Sequence, residues 1–238
     1  MTLRTSSRVA GVAFLVYIAA AMSGTILGGG ASAGDTPAAR LASLAAHVTQ
    51  ARLAWILELV GCFCAFVLAA TLWSITRAED RDLALLGAVF RVAEGVAGAV
   101  ALDAGGERLW LAVHAGELDA ATRETLAAAN FGIRQGMGIG AACFAVGSTL
   151  FAWLLLRGRI VPVSLAWIGV VGSLAAAVVL PLRQVGFLGG PLTNAIWAPL
   201  LVFEVWLGLH LIVKGAAVPA AKRAGAQALE DSLEEEVP

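Results

Sequence analysis

Six stretches dominate this chain, each nearly free of charge and each long enough to cross a bilayer: 8–29, 53–76, 83–104, 130–156, 160–182 and 194–213. A spanning helix needs about 20 mostly apolar residues. The 238 residues are 59% hydrophobic and 14% charged, where a soluble domain runs near 45–50% and about 25%. The 27 glycines suit helices that pack closely in lipid. This excludes a disordered chain, a disulfide scaffold and a soluble enzyme with a water-facing surface. The expected fold is all-α: a polytopic transmembrane bundle of six spans over 1–215, with an acidic, disordered cytoplasmic tail over 216–238.

Charge placement orients the bundle. Arg4, Arg8, Arg77, Arg81, Arg157, Arg159, Lys214, Lys222 and Arg223 fall on one side, and Arg40, Arg52, Arg108, Arg123 and Arg183 on the other. Positive residues accumulate on the cytoplasmic side, so both termini are expected there, in the inner (cytoplasmic) membrane. The even span count agrees. The N-terminal Arg4 and Arg8 and the Ala31-Ser32-Ala33 sequence resemble a signal peptide, but the apolar stretch 9–27 exceeds the usual 7–15-residue core. It reads as an uncleaved span. Net charge is −1, which offers nucleic acid no basic surface. Cys62, Cys64 and Cys143 lie in apolar runs and read as structural thiols, with no metal site and no cofactor expected.

Two outer segments carry helical periodicity. Leu41, Leu44 and Val48 oppose Arg40, His47 and Gln50, while Leu118, Thr122 and Leu126 oppose Asp119, Arg123 and Glu124. Both read as short amphipathic helices on the extracytoplasmic face, either lids or plain connections. The third span can continue toward His114, because residues 109–113 are again apolar.

Ionisable groups inside spans each cost about 2.5–3.5 kcal/mol on insertion scales and are candidates for function. They are Glu58, Arg91, Glu94, Arg134, Glu204 and His210. At a 1.5 Å rise, Arg91, Glu94 and Glu204 lie roughly 12–17 Å into their spans, and Glu58 and Arg134 roughly 6–8 Å. Arg91 and Glu94, three apart, share a helix face and can pair. The expectation is a buried polar cluster of Glu58, Arg91, Glu94, Arg134 and Glu204, drawing on spans two, three, four and six. It is either a ligand site or interhelical glue. Gly132, Gly136 and Gly140 form a close-packing face on span four, against a helix of the same chain or of a second copy in a homo-oligomer. Pro199, five residues before Glu204, frees a carbonyl one turn earlier and can kink the helix beside the carboxylate. Trp73, Trp153, Trp167 and Trp197 read as interfacial anchors. Trp55 and Trp206, near Glu58 and Glu204, read as packing or as a pocket wall.

Several stretches carry a resemblance: Arg8-Val-Ala-Gly-Val-Ala-Phe-Leu-Val-Tyr17, Phe90-Arg-Val-Ala-Glu94, Arg157-Gly-Arg-Ile-Val-Pro162 and Leu207-Gly-Leu-His-Leu-Ile-Val-Lys-Gly215. The chain resembles the bacterial integral-membrane family catalogued as domain of unknown function 4386. Val163 departs from it, since a basic residue is expected after the proline. The resemblance implies a six-helix membrane protein, supplies no activity, and singles out Arg91 and Glu94.

Three functions fit these residues. One is a membrane protein that binds or moves a small apolar or amphipathic molecule or a lipid. A second is an intramembrane enzyme acting on an isoprenoid or lipid, with Glu58, Glu94 or Glu204 as general acid, since apolar surroundings favour the neutral carboxyl form. The third is a structural or accessory subunit.

Overall fold

The computed structural model describes residues 2–131, 138–190, 193, 195–221, 223–224 and 227. These residues form eight helices: α1 (Leu3–Ala31), α2 (Pro37–Ala46), α3 (Val48–Thr76), α4 (Arg81–His114), α5 (Ala120–Phe131), α6 (Gly138–Arg157), α7 (Val163–Gln184) and α8 (Trp197–Val213). Polar residues fix several starts. Thr2 Oγ1 accepts from the Thr5 amide, Thr36 Oγ1 from Ala39, and Asp80 Oδ1 from Leu83, each satisfying a first-turn donor. Pro37 follows Thr36 at the start of α2, where its missing N–H costs nothing.

Five helices, α1, α3, α4, α6 and α7, are long and apolar enough to cross a membrane; α8 is apolar but only 17 residues long. At 1.5 Å per residue α8 reaches about 25 Å, short of a hydrocarbon core of about 30 Å. Large apolar side chains such as Ile26, Phe63, Val100 and Val171 face outward. Such surfaces suit lipid and would aggregate in water.

The long helices alternate in direction and close a ring. α1 packs on α3, α3 on α4, α4 on α6, α6 on α7, α7 on α8, and α8 returns to α1. That last seam needs glycine on both sides. A Cβ on Gly11 would lie 2.6 Å from the Gly208 carbonyl oxygen, and one on Gly208 would lie 3.2 Å from that of Gly11. Backbones this close gain dispersion contacts that lipid cannot supply.

The two ends of the ring are finished differently. At one end α2 and α5 pack together through Leu41, Leu44, Ala127 and Phe131, over Leu111 and Ala112 of α4. At the other end both described termini meet. Ser7 Oγ accepts from the Ala216 amide at 3.0 Å, and the amides of Ala217 and Ala220 donate to the carbonyls of Ile160 and Gly158. Glu79 joins this end: one oxygen pairs with Arg157 Nε at 3.2 Å, the other accepts from the Ala221 amide. The segment assigned to a tail therefore begins hydrogen-bonded to the bundle, while its acidic run lies outside the described residues. The α6–α7 joint turns through Arg159 at φ 49°.

Three expectations need correcting. Of the fourth apolar stretch, Asn130 and Phe131 belong to α5, which begins back at Ala120, and 138–156 belong to α6, while 132–137 lie outside the described residues. Gln50 belongs to α3, since His47 breaks the chain between α2 and α3. Pro199 does not kink α8: it sits in the first turn, where its N–H would have no partner in the helix. The third span does run on to His114.

Candidate functional site

Arg91 and Glu94 face inward from α4, and the one-turn spacing brings them together: Arg91 Nη1 lies 2.9 Å from Glu94 Oε2. Arg91 is 1% exposed and heads the fully buried large side chains. Its guanidinium carbon sits 5.4 Å from the Tyr17 ring and 5.1 Å from the Phe144 ring, which are stacked with centroids 6.4 Å apart. Cation–π attraction strengthens as water leaves, so these rings replace much of the hydration that Arg91 gives up. Tyr17 Oη then donates to Glu94 Oε1 at 2.7 Å. The two oxygens of Glu94 thus hold different helices, α4 itself and α1.

Glu204 completes the cluster from α8. It is 5% exposed, lies within electrostatic reach of Arg91 and Glu94, and its Oε1 accepts no hydrogen bond among the described residues. The contact between Arg91 and Glu94 is an ion pair by distance, but its N–H is not aligned for a hydrogen bond, so Glu94 Oε2 also lacks a donor. One guanidinium is set against two carboxyl groups.

A cavity of about 600 Å³ adjoins this cluster. Tyr17 and Glu94 form its floor, Glu58 and Cys62 line the α3 side, and Phe144 and Trp197 the opposite wall. It lies in the halves of α1, α3, α4 and α6 nearest α2 and α5. Lining atoms are mostly apolar, with a few polar groups converging, the usual make-up of a small-molecule site. Among the described residues no three His, Cys, Asp or Glu side chains gather as a metal site.

The expected cluster is therefore divided. Arg91, Glu94 and Glu204 come together, with the pairing of Arg91 and Glu94 as read from their spacing. Glu58 does not join them. It faces the same cavity nearer the α2–α5 end, where Arg108 is its electrostatic partner. Arg108 also donates to the Ala104 carbonyl and lies over the Phe131 ring. Arg134, Gly132 and Gly136 lie outside the described residues. His210 is set apart toward the other end of α8.

Sequence reasoning missed Tyr17, Phe144 and Trp197. Tyr17 is the chain's single tyrosine and was part of a stretch already noted, which was the available signal. Trp197, read as an interfacial anchor, instead lines the cavity beside Phe144, with centroids 5.9 Å apart. Trp55 is a packing residue whose indole donates to the Leu102 carbonyl, and Trp206 faces outward.

Comparison with known proteins adds one finding. No curated protein and no solved structure matches the chain. A family profile described as domain of unknown function (DUF4386) matches residues 9–215. This range takes in the six apolar stretches except Arg8 and every member of the cluster, and the chain belongs to the DUF4386 family.

Proposed function

We propose that this protein binds or moves a small amphipathic molecule, held in the cavity between α1, α3, α4 and α6. In this reading six helices span the inner membrane, with the 17-residue α8 at the lower limit of spanning length; both termini are cytoplasmic, and α2 and α5 cover the site from the extracytoplasmic side. The carrying observation is a cavity of about 600 Å³ that ends on Glu94, a carboxylate tied to both Tyr17 and Arg91. Charges that served only as glue would need no space beside them, because buried ion pairs are costly to desolvate and gain from tight enclosure.

The test is purification of wild type and of Glu58→Gln, Glu94→Gln and Glu204→Gln, with mass spectrometry of whatever co-purifies. A compound retained by wild type and lost from a folded Glu94→Gln variant supports the reading. The same bulk lipid on every folded protein would reduce the charges to glue.

A further inference from the structure

We infer that the molecule taken by this cavity is an amphipathic organic cation, with its charged head between Glu58 and Glu94 and its apolar part against Gly61. The inference rests on the binding reading above and names the class of ligand. Three observations carry it.

The first is the sign of the lining. Among the described residues the cavity's ionisable groups are the carboxyl groups of Glu58 and Glu94, the Cys62 thiol and the Tyr17 phenol, with no Arg, Lys or His side chain on its wall. Arg91 stands behind the floor, where Glu204 shares its charge, and Arg108, the electrostatic partner of Glu58, likewise stands off the wall. A cation entering the cavity meets acidic groups at both ends, and in a low-dielectric setting such contacts are far stronger than in water.

The second is the charge balance at the floor. Glu94 is 8% exposed and lines the cavity, while its Oε2 is turned away from it, 2.9 Å from Arg91 Nη1. That single guanidinium is set against both Glu94 and Glu204. A positive charge on the cavity side of Glu94 evens this balance in a way that an anion or a plain hydrocarbon does not. Aromatic walls suit the same ligand, since Trp197 and Phe144 present rings to a cation.

The third is Gly61. It is buried on α3, yet a Cβ there would meet nothing within 4 Å. The neighbouring glycines of the wall differ. A Cβ on Gly95 would lie 2.8 Å from Phe66, and one on Gly98 would lie 2.9 Å from Cys62 Sγ. Packing explains those two and leaves Gly61 unexplained. Between Glu58 and Cys62, it keeps open the space that a ligand's apolar part would fill.

The experiment uses the full chain in lipid nanodiscs and two probes of equal shape and opposite charge, tetraphenylphosphonium and tetraphenylborate. Equilibrium dialysis should give saturable binding of the phosphonium to wild type, at least tenfold tighter than the borate. Glu58→Gln and Glu94→Gln should each weaken it tenfold or more. Gly61→Leu should abolish it by filling the space while leaving every charge in place. Should Gly61→Leu fail to fold, the smaller Gly61→Ser serves, with an expected weakening of several-fold.

Equal or tighter binding of the borate overturns the inference, and does so most directly if Arg134→Gln removes it, since that would mean an anion site. Unchanged phosphonium binding in a folded Gly61→Leu protein overturns it as well. A compound that co-purifies and is lost in Glu94→Gln, together with no preference for the phosphonium, would retain the binding site and sink only the cation.

Discussion

Tyr17, Arg91, Glu94 and Glu204 form a unit in which each member is expensive to remove alone. Tyr17→Phe keeps the ring against Phe144 and Arg91 and deletes one hydrogen bond to a charged acceptor. It should cost about 1.5–3 kcal/mol, read as reduced resistance to unfolding in detergent. Arg91→Met strands two buried carboxyl groups and should cost about 3–5 kcal/mol, seen as loss of folded protein on size exclusion. The double variant Arg91→Met/Glu94→Gln should recover part of that loss, because it removes the opposite charges together. Loss in the double variant equal to the sum of the two singles would mean that the side chains act independently. At this scale the sequence revealed what local spacing can reveal. Arg91 and Glu94 pair because they are one turn apart. The arrival of Tyr17, from 77 positions earlier, depends on how α1 is rotated against α4, and no local pattern encodes that rotation. Glu58 lines the same cavity as Glu94 but has Arg108, not Arg91, as its electrostatic partner, and the reason it was not foreseen is the same: depth along a helix can be read from sequence, but direction around it needs the neighbours.

The helices themselves were legible wherever an apolar run was long. Their ends were less so, because ends depend on caps and breaks. His47 separates α2 from α3 although the apolar spacing runs through it, and α5 takes residues that composition assigned to the following span. The seam between α1 and α8 gives a test at this scale. Gly11→Val should push the two backbones apart and cost about 1–3 kcal/mol as overpacking, lowering the unfolding midpoint, whereas Gly61→Ala, with open space beside it, should not. α5 offers a second test. Hydrogen bonds from the Thr122 side chain, and from the amides of Thr122 and Ala121, hold the Asp119 carboxyl below the usual carboxylate range. A group whose pKa is depressed by folding stabilises the folded form above its unfolded pKa. That contribution disappears as pH falls through the lower, folded value. Amide exchange in the first turn of α5 should therefore quicken at acid pH, and Asp119→Asn, which still caps, should remove that dependence.

The whole molecule is a ring whose first and last long helices touch, with both described termini at one end. Its orientation is testable with single cysteines placed in a background where Cys62, Cys64 and Cys143 are replaced by alanine. Ala42→Cys, on exposed α2 surface, should react with an impermeant maleimide in intact cells, and Ser232→Cys only after lysis. Labelling of both in intact cells would contradict an even span count with inner termini.

Closure of the ring by α8 also sets an order of events during synthesis. Arg91 and Glu94 enter the membrane as a self-neutralised pair within one helix, so α4 can insert with little exposed charge. Glu204 emerges about 110 residues later. At about 5–20 residues per second this is a delay of roughly 5–20 s. Through that interval α1 has no partner at Gly11, and the charge cluster behind the cavity floor lacks Glu204. A nascent chain that stalls before Phe203 therefore displays an open seam and an incomplete charge cluster to the lipid. Only the arrival of the final helix converts an inserted chain into an assembled one.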